Sequence, residues 1–174
     1  IPKVHEETLW REIRRLEAFG ILQRCNHFDR GARAEEPLPD NSGWGLPLFI
    51  RPKKNGTVRF LTDFRELNKA LIRFPYPMPK IQEILMKLEG FQFASSLDLN
   101  MGYYHLRLTP GSSRLCTIVL PWGKYEYLRL PMGIHNAPDI FQEKMSELLA
   151  GLEYIRASLD DLLVISKGDW DDHL

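Results

Sequence analysis

At 174 residues, 44% of them hydrophobic, the chain has the length and apolar content of one ordinary domain with its own core, not of a disordered or low-complexity segment. Its 23 basic and 23 acidic residues cancel, which excludes a uniformly basic or acidic surface, yet residues 1–87 carry 16 Lys and Arg against 11 Asp and Glu, and residues 88–174 carry 7 against 12. Such polarity suits a protein that holds phosphates on one side and cations on the other; solvated faces of uneven composition produce it too.

The chain opens without an initiator Met on the charged stretch Ile1–Glu7, so it reads as a fragment or processed piece with no signal peptide. No apolar run approaches the ~18–20 residues that span a bilayer. Neither a membrane partner nor secretion is expected, and the lack of export signals fits a cytoplasmic particle or the nucleus, with localisation left open. Leu9, Ile13, Leu16 and Phe19 recur at helical spacing, acids precede them and Gly20 follows, which predicts a helix over about 5–19. Residues 29–47 read as a long surface loop. Leu48–Pro52 and Thr57–Leu61 read as strands joined by Lys53-Lys54-Asn55-Gly56, where Asn-Gly is a hairpin signal. The prolines of Phe74–Pro79 forbid regular structure, and a second helix follows at about 80–89.

Phe91–Leu99 reads as a strand with Asp98 near its end, and Tyr104–Leu108, Cys116–Leu120 and Lys124–Leu130 as shorter strands. Asn136-Ala137-Pro138 opens a third helix that Gly151 stops, with Ile140, Phe141, Met145, Leu148 and Leu149 as its buried stripe. Tyr154–Ser166 is apolar and strand-like on both sides of Asp160-Asp161. The fold class is α+β with local hairpins, and no linker divides it.

Two adjacent carboxylates inside an apolar run are costly if buried unpaired. A turn that exposes them to water relieves the cost, and so does a divalent cation that both face. Neighbours on a flat strand point to opposite faces, so sharing a cation requires a tight turn at Asp160-Asp161. Asp98 is a third carboxylate in an apolar strand, and the three can converge from two strand ends. Hard oxygen ligands fit Mg²⁺, and two such ions can clamp an in-line phosphoryl displacement. Lys53, Lys54 and Arg59 of the basic hairpin are candidates for a triphosphate or a template strand, against the alternative of a solvated basic turn. The five histidines form no ligand pair, and no P-loop, G-x-S-x-G, H-E-x-x-H or aspartic-protease triplet occurs. Cys25 and Cys116 lie far apart in sequence, make neither a metal-ligand cluster nor a disulfide framework, and read as free thiols of a reducing compartment.

Six blocks carry a resemblance: Arg59–Asn68, Tyr76–Ile81, Ser96–Tyr103, Tyr125–Ile134, Asn136-Ala137-Pro138 with Phe141-Gln142, and Leu159–Leu163. In this order they resemble the reverse transcriptases of gypsy-type long-terminal-repeat retrotransposons, with retroviral enzymes more distant. The resemblance covers about residue 41 to the end, and the closing Trp170–Leu174 shares it. It implies the fingers and palm of a right-hand polymerase, about 1–75 mainly fingers and about 76–174 mainly palm with some fingers elements, the thumb being absent. It implies that Asp98, Asp160 and Asp161 are catalytic carboxylates holding two Mg²⁺, with Mn²⁺ as a substitute. Arg59 and Lys53 or Lys54 would meet the nucleotide, Tyr103 would bar a 2′-OH, and Met132 to Phe141 would line the nucleotide pocket and template path. The implied reaction adds dNTPs to a primer 3′-OH on an RNA or DNA template. Its partners are the primer-template, dNTPs, and the thumb and RNase H parts of a parent polyprotein.

Ser158 stands where the family usually has Tyr, and Met132 where it often has Phe. A catalytically silent nucleic-acid-binding or scaffold domain derived from a retroelement is the competing reading. A viral RNA-dependent RNA polymerase is a third, opposed by the aromatic Tyr103.

Overall fold

A computed structural model gives the fold and describes residues 3–25, 44–52, 58–79 and 90–173. The Lys53–Gly56 connection, the helix expected at 80–89 and most of the loop expected at 29–47 lie outside the described residues. In chain order the described elements are α1 (Glu6–Ala18), β1 (Leu22–Arg24), β2 (Leu48–Pro52), β3 (Val58–Thr62), α2 (Arg65–Ala70), β4 (Phe93–Asp98), α3 (Pro110–Leu115), β5 (Thr117–Leu120), β6 (Gly123–Tyr127), α4 (Ala137–Leu148), β7 (Ile155–Ser158), β8 (Asp161–Ser166) and α5 (Trp170–His173). They fall into two compact units, Ile1–Leu71 with Tyr104–Ile134, and Ile72–Tyr103 with His135–Leu174. Among the described residues no helix is long and apolar enough to cross a membrane.

In the first unit, α1 forms where the sequence periodicity places it, with Leu9, Ile13 and Leu16 buried on one face. Glu6 and Glu7 in its first turn and Arg15 in its last oppose the helix dipole. Gly20, at φ 63, donates to Glu17 C=O and Ile21 to Leu16 C=O, both at 2.9 Å. This paired C-terminal closure needs the left-handed residue that glycine supplies. Phe19, the last of the residues at helical spacing, is the C-cap and stands exposed.

The chain then enters an antiparallel sheet of order β1-β6-β5. Leu46, expected in a surface loop, is buried and bridges Ile118 in parallel: its N–H donates to Thr117 C=O at 2.8 Å, and its C=O accepts from Val119 at 3.1 Å. The expected hairpin strands are β2 and β3, paired from Leu48↔Thr62 to Pro52↔Val58. Tyr104–Leu108 is not a strand. Met101, at φ 58, turns the chain out of β4, Gly102–His105 winds into a 3-10 turn, and Arg107 alone bridges Arg129. Four short elements, β1, α2, α3 and α5, carry no sequence expectation above. For α3 the signal was present: Thr109 caps it, its hydroxyl accepting from Ser112 N–H at 3.3 Å, and Pro110 occupies the first turn. Cys116 is buried and Cys25 partly so, both free, and burial pushes their thiols up to about 12 and about 11. Neither thiol ionises near neutral pH, which makes both poor nucleophiles.

The second unit holds an antiparallel sheet of order β4-β8-β7, with α4 contributing the buried row Ala137, Phe141 and Met145. The expected stripe needs correction. Ile140 and Leu148 are exposed, whereas Asp139 and Gln142 are buried. Asp139 is covered because the proline-spaced segment lies over that helix face: Tyr76 N–H donates to Asp139 Oδ1 at 2.9 Å. Asn136 occupies the N-cap, yet its amide donates to Ile72 C=O at 2.8 Å and makes no capping bond. The closing motif packs on β4 and β8. Trp170 meets Phe93 edge-on at 5.5 Å, and His173 bonds Ser95 Oγ through Nε2 at 2.8 Å and Ser166 Oγ through Nδ1 at 3.0 Å.

Replacing the capping Thr109 by Ala exposes one first-turn N–H of α3. Thr109→Ala is expected to lower unfolding free energy by about 1 kcal/mol, read as a shifted urea midpoint with unchanged slope.

Candidate metal and nucleotide site

The three carboxylates of the sequence analysis come together in the second unit. In the β4–β8 ladder Asp98 stands directly opposite Asp161, and in the β7–β8 ladder Ser158 stands opposite Asp161. Leu159 and Asp160 are therefore the two residues of a tight turn, and Tyr154–Ser166, expected to be strand-like on both sides of Asp160-Asp161, forms a hairpin about it. Leu159 has φ 56, the left-handed first position of the primed turns that match strand twist. Directly opposed residues share a sheet face, so Asp98 and Asp161 project to the same side, with Asp160 beside them in the turn.

The turn is fixed by its neighbours. Leu99 N–H donates to Asp160 C=O at 2.9 Å. Gly102 is buried against it: a Cβ there would lie 3.3 Å from Asp160 Cβ and 3.0 Å from Phe141 Cζ. Tyr103 stacks on Phe141 at 4.9 Å and 29°. Burial, and after it the charge of Asp160, raise the Tyr103 phenol above its usual range, which keeps it a neutral hydroxyl. Gln142 was absent from the expected buried stripe, yet its Oε1 accepts from Leu159 N–H at 2.8 Å and its Nε2 lies 3.4 Å from Ala157 C=O. Helix periodicity places polar residues outside, so only the Phe141-Gln142 block pointed to this position.

Asp98 and Asp161 are exposed and Asp160 is half-buried. The donor set fits a hard divalent cation, but the carboxylates are not closed into a cage: among the described residues no group of three His, Cys, Asp or Glu side chains could hold a metal ion by itself. Mg²⁺ is commonly held by one or two carboxylates plus substrate phosphates and water, and it does not require such a cage.

The remaining candidates lie in the first unit or outside the described residues. Lys53 and Lys54 are outside them. Arg59 is exposed on β3 directly opposite Arg51, which the sequence analysis did not single out. Like charges at directly opposed positions repel, and a polyanion relieves the repulsion. Met132 is exposed, between buried Pro131 and exposed Gly133. Gly133, at φ 99, would place a Cβ 3.3 Å from the Phe64 ring, and its C=O accepts from Asn68 Nδ2 at 2.8 Å. Two of the blocks quoted above, Arg59–Asn68 and Tyr125–Ile134, thus hold each other, leaving Met132 outward.

Filling the space over Gly102 tests the close approach. Gly102→Val is expected to cost about 1–3 kcal/mol of stability by overpacking against Phe141 and the aspartate turn, measured by urea unfolding.

The chain was compared with known proteins. The model of the family described as "Reverse transcriptase (RNA-dependent DNA polymerase)" matches residues 51–174. The chain is 34% identical over 125 residues to the Transposon Tf2-3 polyprotein of Schizosaccharomyces pombe, covering 71% of this chain and 9% of the polyprotein. It is 35% identical over 144 residues to the retrovirus-related Pol polyprotein from transposon opus of Drosophila melanogaster, covering 78% of this chain and 14% of the polyprotein. The chain therefore spans about a tenth of the length of the polyproteins it matches. Among solved structures, the Prototype Foamy Virus protease-reverse transcriptase aligns over 99% of this chain and 21% of its own, with a TM-score of 0.79 at 24% identity. The foamy viral protein in complex with RNA/DNA hybrid aligns equally, with a TM-score of 0.79 at 20% identity. The expected α+β fold of polymerase fingers and palm is borne out. By its sequence blocks, its fold and its paired aspartates at the tip of a hairpin, the chain belongs to the reverse transcriptase (RNA-dependent DNA polymerase) family.

Proposed function

We propose that this chain carries the nucleotidyl-transfer centre of an RNA-directed DNA polymerase from a gypsy-type retrotransposon polyprotein. The observation that carries the reading is the register: Asp98 faces Asp161 across β4 and β8, with Asp160 in the adjoining turn. About residues 1–75 are assigned mainly to the fingers and about 76–174 mainly to the palm with some fingers elements.

Reverse transcriptases use divalent metal ions, and Mg²⁺ is the ion proposed here, with Mn²⁺ as substitute. Asp98, Asp160 and Asp161 are the residues that would hold it. Bound there, the ions would supply charge stabilisation to an in-line phosphoryl transfer and acidify the attacking primer hydroxyl. The chain's own residues do the rest. Arg59, with Arg51 opposite it and Lys53 or Lys54 from the connection, meets the dNTP triphosphate or the template backbone, where guanidinium forks suit phosphate. Tyr103, supported by the Phe141 ring, presents a neutral aromatic edge that excludes a ribose 2′-OH. Met132, exposed and flexible, supplies apolar contact in the nucleotide pocket. Primer-template nucleic acid is the macromolecular partner; a foamy viral relative of this fold is described in complex with RNA/DNA hybrid. The thumb and RNase H parts of the parent polyprotein are further partners.

Primer extension on poly(rA) with an oligo(dT) primer, dTTP and Mg²⁺ tests the reading. The native chain, supplied with its thumb, is expected to extend the primer. Asp160→Asn is expected to reduce the rate at least 100-fold, about 3 kcal/mol of barrier. Silence of the native protein, with duplex binding retained, would replace the polymerase by a binding module.

A further inference from the structure

The mechanism above leaves the buried Gln142 carboxamide without a role. We infer that Gln142 is a positioning residue: its carboxamide clamps the Ser158–Asp161 turn and fixes where the Asp160 and Asp161 carboxylates point. The consequence for reaction rests on the polymerase reading; the clamp itself does not.

Gln142 is 2% exposed. A carboxamide taken out of water needs partners for two lone pairs and two N–H groups, and leaving them unmade is costly. Two of its three partners here belong to the aspartate hairpin. Oε1 accepts from Leu159 N–H at 2.8 Å, and Nε2 donates toward Ala157 C=O at 3.4 Å. Ser146 Oγ, one helical turn on, also lies 3.4 Å from Nε2.

Leu159 is the residue that most needs this support. A leucine at φ 56 sits in a region that costs L-residues about 1–2 kcal/mol, and it persists where surroundings over-determine it. The clamp acts on the peptide entering Leu159. The opposite side of the turn is fixed independently, since Asp160 C=O accepts from Leu99 N–H at 2.9 Å. The dihedrals between these two bonds set the direction of the Asp160 Cα–Cβ vector. Three neighbouring carboxylates repel one another before a cation arrives. Without the clamp, that repulsion acts on a turn already strained toward rearrangement. Gln142 thus pre-organises the ligands, as outer partners of metal ligands commonly do. The preceding residue, Phe141, supports Tyr103, so two consecutive residues of α4 brace two parts of the site.

Gln142→Leu keeps the volume and removes every hydrogen bond; Gln142→Glu keeps an acceptor for Leu159 N–H. Three readouts separate positioning from mere packing: amide exchange at Leu159 by NMR, Mn²⁺ affinity by electron paramagnetic resonance, and kcat with KM for dTTP. In the native chain the Leu159 amide is expected to be protected. In Gln142→Leu that protection falls roughly 10-fold or more while the central amides of α4 stay protected. Mn²⁺ affinity and kcat each fall about 10–100-fold, with KM for dTTP nearly unchanged. Gln142→Glu is expected to retain Leu159 protection. An unprotected Leu159 amide in the native chain overturns the inference, as does a folded Gln142→Leu with native Mn²⁺ affinity. If Gln142→Leu unfolds throughout, Gln142→Glu decides: loss of Leu159 protection in that variant alone also overturns the clamp. If no form extends a primer while Leu159 protection and Mn²⁺ affinity respond as stated, the polymerase reading falls and the clamp stands.

Discussion

The structure depends on one register. Because Asp98 pairs with Asp161 and not with a residue one place away, two carboxylates share a sheet face. A slip by a single residue would send them to opposite faces and abolish the site without changing any residue. Both ends of the ladder hold that register. At the far end Phe93 pairs Ser166, and His173 bonds serines on both strands. At the near end the Leu99 bond to Asp160 and the Gln142 bond to Leu159 close the turn.

The same arrangement explains why the carboxylates do not form a finished cage. Three like charges in one place are unfavourable until a cation compensates them. A site that gathers its last ligands from water and substrate phosphate has no need of a preformed cluster. The fold instead stores the geometry in neutral groups around the aspartates: the missing side chain of Gly102, the Phe141 ring and the Gln142 carboxamide. These cost little electrostatically and add no counter-charge of their own that would compete with a metal.

Much of this was legible in the sequence. The α1 helix announced itself by Leu9, Ile13, Leu16 and Gly20, and the β2–β3 pair by two β-rich runs around Asn-Gly. The aspartate hairpin followed from the physical argument that adjacent carboxylates in an apolar run need a turn. Periodicity failed where tertiary structure reassigned faces. Asp139 and Gln142 look like solvent-facing helix residues, yet Tyr76 covers one and the hairpin consumes the other. Tyr104–Leu108 alternates like a strand, but the left-handed Met101 and the 3-10 turn after it leave a single bridge at Arg107. Leu46 and Arg51 escaped because their significance lies in what stands opposite them, Ile118 and Arg59, which no local pattern encodes.

The central claim is that Asp98 and the Asp160-Asp161 turn act together on a divalent cation. A Mn²⁺ titration in the presence of dTTP, followed by electron paramagnetic resonance, tests it directly when native protein is compared with Asp98→Asn and Asp161→Asn. The account predicts one class of tight sites lost to a similar degree in both variants, because the two side chains share a face. Tight binding that survives Asp98→Asn unchanged would contradict it.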